Sequence, residues 1–213
     1  MSISVPTSGC VRLVFLGAAG VGKTSLIERF LYDRFDARHR RTVEEIHSFD
    51  PEPEVLQLRI EITDTSGSYS FPAMRKLRIQ QGDAFVLVFS LNNPDTFQEV
   101  ETLREEILRV KGEPDVPIVV VGNQTDLFPG VEAGSGQLMA LHAAATAELE
   151  WESGYVETSA KANHRVEEVF EELLRRVNMP CLLSPALERR RASAQPEPRR
   201  RQPRRKQDKC SIS

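Results

Sequence analysis

Apolar and polar positions along the chain follow two distinct rhythms. Ala84 to Phe89 and Ile118 to Val121 are short, unbroken apolar runs. They are too short for a buried helix and predict strands covered on both faces, as in a parallel sheet. Val11 to Leu16, interrupted by Arg12, is a third of this kind. Leu56, Leu58, Ile60 and Ile62 alternate with Gln57, Arg59 and Glu61, the period-two mark of a half-buried strand. A weaker strand is expected over Glu44 to Phe49, and Pro51 and Pro53 break the chain between the two as a hairpin connection would. A short strand is expected at Tyr155 to Glu157.

Helical spacing fills the intervals. Lys23 to Tyr32 follows the first strand. Asp95 to Lys111 places Phe97, Val100, Leu103, Ile107, Leu108 and Val110 close to helical intervals. Gly136 to Glu150 is rich in alanine and leucine, and Arg165 to Val177 carries Val166, Val169, Phe170, Leu173 and Leu174 on one face. Strands alternating with helices predict an α/β domain of three layers around a mostly parallel sheet. Beyond Met179 the patterning stops. Pro185, Pro196, Pro198 and Pro203 among arginines cannot build a core, so a disordered tail is expected. The organisation read from the sequence is therefore an N-terminal extension over 1–10, a domain over 11–178 and a basic tail over 179–213.

A length of 213 residues suits one domain with an appendage rather than two full domains. The net charge of -3 conceals an asymmetry. Between Arg189 and Lys209 there are ten basic residues against Glu197 and Asp208, a net +8, which leaves -11 for the remainder. An acidic body joined to a basic tail is two electrostatic objects. Cys10, Cys181 and Cys210 are too dispersed for a disulfide framework or a zinc site, which points to a reducing compartment. No apolar run reaches the roughly 18 residues needed to span a bilayer.

The chemistry begins with Gly17-Ala18-Ala19-Gly20-Val21-Gly22-Lys23-Thr24, followed by Ser25. This fits GxxxxGK[ST] between a strand and a helix. Glycines let successive backbone N–H groups curl around phosphate oxygens, Lys23 brings a point charge to the outer phosphates, and Thr24 is a ligand for Mg²⁺. The motif specifies a nucleoside triphosphate without naming the base. Asp64-Thr65-Ser66-Gly67 follows directly on the alternating strand; its carboxylate suits Mg²⁺ and Gly67 offers an N–H to a γ-phosphate. Asn123-Gln124-Thr125-Asp126 ends another strand, and Asp126 can accept both N1–H and the 2-amino hydrogens of guanine, a pairing adenine lacks. Thr158-Ser159-Ala160-Lys161 ends a third.

Together these residues resemble the Ras superfamily from about Val11 to Val177. The distances from Lys23 to Thr42 (19 residues) and from Thr42 to Asp64 (22) are those of Ras itself. The resemblance implies a six-stranded P-loop G domain that binds GTP and GDP with Mg²⁺ held by Thr24, Thr42 and Asp64, and that hydrolyses GTP. It implies that Phe35 stacks on guanine and that Ser159, Ala160 and Lys161 form the loop reading guanine O6. Thr42, Glu44 and Glu45 are expected to meet effector proteins at switch I, with an unknown exchange factor, a monomeric state and no nucleic-acid partner. Ser70 to Arg75 is similar to the Dexras, Rhes and Ras-dva branch, with Ras-dva expected nearest.

Three positions depart from the pattern. Ala19 replaces a glycine that leaves room for an arginine finger, and Ser68 replaces the glutamine that orients the attacking water. Catalysis through Ser68, Gly67 and Lys23 is therefore expected to be slow, since the finger alone supplies ~10³–10⁵ of the rate in such enzymes. Either a slowly resetting switch or a constitutively GTP-loaded binding module results. Gln124 stands where lysine is usual, with weaker base packing and faster exchange expected. The chain ends Cys210-Ser211-Ile212-Ser213, a CaaX box whose final serine favours farnesyl on Cys210. One lipid anchors only marginally, and the arginine clusters supply a second signal toward an anionic leaflet. A lipid-anchored location at the cytoplasmic face of the plasma membrane follows. Nuclear import or nucleic-acid contact is the competing reading of the same clusters.

Overall fold

The computed structural model describes residues 8–38, 42–50, 57–67, 72–127 and 135–179. The expected strands and helices form in order. β1 (Ser8–Leu16) leads to α1 (Lys23–Tyr32), then β2 (Glu44–Phe49) and β3 (Gln57–Thr65). α2 (Pro72–Gln81), β4 (Ala84–Ser90) and α3 (Asp95–Lys111) follow. β5 (Ile118–Asn123), α4 (Ser135–Ala145), β6 (Gly154–Glu157) and α5 (Val166–Arg176) complete the domain. The sheet order is β2-β3-β1-β4-β5-β6. Among the described strands only the β2–β3 pair is antiparallel, as the hairpin reading requires.

Both faces of the sheet are covered, which is why β4 and β5 are apolar throughout most of their length and buried at every position. One core layer joins Leu13, Phe15, Val86 and Val119 to α1 and α5. Its centre is a stack of Phe30 on Phe170, with ring centroids 3.5 Å apart, and Phe15 lies against Phe170 at 5.6 Å. The other layer joins Phe85, Leu87 and Phe89 to α2, α3 and α4. There Trp151 is a packing residue, stacked on Phe97 and lying under the Arg104 guanidinium at 4.9 Å. Fully burying side chains of this size contributes about 1.5–3 kcal/mol each.

The structure departs from the sequence reading in four places. β1 starts at Ser8, so residues 8–10, expected in the N-terminal extension, pair with β3 through Ser8↔Gln57, Gly9↔Leu58 and Cys10↔Arg59. β3 runs on to Thr65, which puts Asp64 inside a strand rather than after it. The helix expected over Gly136 to Glu150 ends at Ala145 and continues as one π turn, Thr146–Glu150. Finally, α2 has no counterpart in the sequence reading. Only Ile79 of its ten residues is buried, so it has no apolar stripe to read.

Candidate functional site

The segments at the carboxyl ends of β1, β3, β5 and β6 line one cleft of about 810 Å³, a size that suits a small-molecule ligand. The loop after β1 shapes its phosphate end. At Gly17 (φ +139) a Cβ would collide with the Val88 carbonyl, and at Gly22 (φ +97) with the Asn123 amide. Both positions therefore require glycine for space as well as for backbone conformation. Gly22 is the N-cap of α1, whose first-turn N–H groups lack intrahelical partners, and Lys23, Thr24 and Ser25 of that turn line the cleft. Gly67 lies against this loop: a Cβ there would strike the Ala19 backbone.

Lys23 is 5% exposed and donates through Nζ to the carbonyls of Gly17 (2.7 Å) and Ala18 (2.8 Å). Burial pulls its pKa down to about 8, against the opposing pull of Asp64. Thr24 donates from Oγ1 to Asp64 Oδ2 at 2.6 Å and sits 2.7 Å from Thr42 Oγ1. Asp64 is fully buried, and burial pushes its pKa up to about 6 although the Thr24 bond opposes the shift. Its Oδ1 has no hydrogen-bond partner among the described residues. A buried carboxylate oxygen left unmade beside two hydroxyls is costly without a cation. Mg²⁺ takes oxygen ligands at 2.0–2.1 Å in octahedral geometry, which sets neighbouring ligands about 2.9 Å apart. The three side chains fit that ion.

At the other end of the cleft Asn123, 2% exposed, ties three loops together. Its Nδ2 donates to Val21 O (2.8 Å), while its Oδ1 accepts from Thr158 Oγ1 (3.1 Å) and Ala160 N (3.2 Å). Asp126 accepts from Ser159 Oγ at 2.6 Å, and Lys161 Nζ lies 3.6 Å from its other oxygen. Gln124, in the left-handed region at φ +72, reaches Ser90 and Gly20.

Most of the residues expected at the site meet on this cleft. Ala19, Gly20, Gly22, Lys23, Thr24 and Ser25 line it at the phosphate end, with Thr42 and Gly67. Phe35, Asn123, Gln124, Asp126, Ala160 and Lys161 line the remainder. Four stand behind the wall. Asp64 and Ser159 are buried beneath it, Val21 lies in the core, and Gly17 lines a smaller neighbouring cavity. Of the residues expected at an effector face, Glu45 is exposed, but Glu44 is turned onto α2 in a bidentate pair with Arg78, with both bonds 2.8 Å long. Ser68, Cys210 and the basic tail lie outside the described residues, as does Ser70-Phe71. Sequence reading missed Glu28, Asp36, Ala37, Arg38 and Leu127, which also line the cleft, as do Thr65 and Ser66 of the motif that ends in Gly67. Spacing of four from Thr24 could have pointed to Glu28, since such residues share a helix face.

Fold and cleft together define a P-loop nucleotide-binding domain with a second loop system at its base end. The chain belongs to the Ras family, whose profile matches residues 12–179, and is a GTP-binding signalling protein of the small GTPase class. Among its relatives, human GTP-binding protein Rhes is 38% identical over 203 residues, covering 89% of this chain and 73% of the relative. GTP-binding protein Di-Ras2 of Mus musculus is 40% identical over 164 residues, covering 76% and 79% respectively. Among the described residues no helix is long and apolar enough to cross a membrane.

Proposed function

We propose that the protein is a GTP/GDP-dependent switch that carries Mg²⁺ with its nucleotide, resets slowly and works at the cytoplasmic face of the plasma membrane. The observation that carries this is a single cleft joining the Thr24–Thr42–Asp64 oxygen cluster to the Asn123–Asp126–Ser159 base loops. Thr42 and Gly67 flank the place of a γ-phosphate, so its presence would order both segments and its loss would release them. Glu45 and the exposed Val43 and Ile46 on and beside the edge strand β2 support effector contact there. Slow hydrolysis follows from Ser68, too short to orient water as glutamine does, and from Ala19, which lines the cleft with its backbone against Gly67 and adds a methyl where the family has glycine. Identity to Rhes supports that branch, while the placement beside Ras-dva rests on Ser70 to Arg75 alone. Farnesylation of Cys210 and the +8 tail supply the membrane signals.

The test is the nucleotide content of protein isolated from cells, followed by single-turnover hydrolysis. A mixed pool with slow but measurable turnover supports the switch. A second reading, favoured by the Ala19–Gly67 contact, is a permanently GTP-loaded effector-binding module. An all-GTP pool with no turnover above the rate in solution would select it. Bound ATP would overturn both.

A further inference from the structure

Gln124 is joined at both ends of its amide, and the donor rules leave only one arrangement. The Gly20 carbonyl, 3.0 Å away, can only accept, so the amide nitrogen must face it. The amide oxygen then faces Ser90 Oγ at 2.6 Å, and Ser90 must be the donor. Ser90 ends β4 and is 6% exposed. Its backbone N–H is held by Thr96 Oγ1 (3.0 Å), and its hydroxyl oxygen accepts the Asn92 N–H (3.2 Å). Asn92 Nδ2 also donates to the Gln124 carbonyl at 3.3 Å, bracing the left-handed turn that sends the side chain back toward Gly20. The chain of bonds runs from the end of β4, through the base loop, to the phosphate loop. Gly20 itself is at φ +79 and has open space where a Cβ would stand, so its own packing does little to hold it.

We infer that Ser90 is a positioning residue for the nucleotide: through the Gln124 amide it fixes the Gly20 carbonyl and the curve of the phosphate loop, and so slows nucleotide release. The inference rests on the guanine-nucleotide reading of the cleft. It revises the expectation that replacing lysine by Gln124 simply speeds exchange. A lysine offers only donors, whereas the glutamine accepts from Ser90 and donates to Gly20, and bonds in such a chain polarise one another.

The experiment is a double-mutant cycle on release of a fluorescent GDP analogue from the full chain, each variant first shown to take the analogue up. Ser90→Ala is expected to speed release about 3- to 10-fold, the loss of one ordinary hydrogen bond. Gln124→Met is expected to speed it at least as much, and Ser90→Ala should add less than about twofold in that background. Gln124→Leu replaces Gln124→Met if the latter does not fold. Unchanged release in Ser90→Ala would overturn the relay, and so would factors that multiply, which would mark Ser90 as merely structural. A native chain that takes up no analogue would instead defeat the nucleotide reading beneath it.

Discussion

In the proposed guanine reading Asp126 faces the base, with Ser159 holding one of its oxygens at 2.6 Å and Lys161 near the other. An asparagine in its place swaps an acceptor for a donor facing the ligand. Asp126→Asn is therefore expected to weaken GTP relative to XTP by about 10- to 100-fold, from an unmade bond costing ~1–3 kcal/mol. A competition assay measures this, and unchanged GTP preference would remove the basis of the assignment. Ala19 and Ser68 form a second residue-scale question. Ala19→Gly with Ser68→Gln should raise single-turnover hydrolysis on the order of tenfold or more, a small part of what a complete catalytic set with a finger supplies. If the doubly substituted protein turns over no faster, the two-position account of slow hydrolysis is wrong.

Elements meet through ion pairs where apolar packing is thin. α2 buries only Ile79, yet Arg78 binds Glu44 of β2 and Arg75 binds Glu106 of α3 at 2.9 Å. The Glu44–Arg78 pair is bidentate and about three-quarters buried, the geometry in which such pairs matter. Arg78→Ala is expected to cost about 1 kcal/mol and to speed amide exchange in α2, with Glu44→Arg/Arg78→Glu recovering much of both. Loss without recovery in the swapped protein would mean that the pair is incidental. At the opposite edge, Glu172 of α5 accepts from Arg175 and Arg176, and Arg176 continues to the Glu152 carbonyl. Burial alone would raise the Glu172 pKa, but the two arginines outweigh it and hold it below its ordinary 4.5. A lowered carboxylate pKa adds stability that is present above the unfolded value and lost as pH falls through the folded one. The thermal midpoint should thus drop below about pH 4.5, and Glu172→Gln should lower it at neutral pH and flatten that acid limb. Parallel acid limbs in the two proteins would refute the assignment.

At the scale of the whole molecule, the charge separation is expected to govern membrane attachment. An acidic body carrying -11 gains nothing from an anionic leaflet, so attachment is expected to need Cys210 and the +8 tail together. Arg190-Arg191-Ala192-Ser193 resembles a site for a basophilic kinase. Phosphate there adds about -1.5 to -2 charge; at ~1 kcal/mol per charge, two units weaken binding roughly 30-fold before salt screening. Liposome partitioning of the farnesylated chain measures this, with Ser193→Glu weaker than Ser193→Ala. Equal partitioning removes the switch, and Cys210→Ser remaining on membranes removes the lipid anchor.

What the sequence determined by itself is what short-range chemistry dictates. Gly17 to Thr24 carries the glycines and the lysine that suit an anion-binding loop between a strand and a helix, and the apolar runs of β4 and β5 are too short for buried helices and fit inner strands. Asn123 was legible because it ends such a strand, and Asp126 and Ser159 because they follow β5 and β6 within three residues. Tertiary structure alone decided the rest. α2 has no apolar rhythm because it is fastened by arginines to residues more than 30 positions away. Glu44 left the expected acidic effector face for the same reason. Asp36, Arg38 and Leu127 reach the cleft from loops whose paths no local pattern encodes. Ser90 acquires its place only when parallel pairing sets it opposite Asn123, next to Gln124. Hydrogen bonds and ion pairs act over about 3 Å, so which partners come within reach depends on the assembled sheet and leaves no period in the chain.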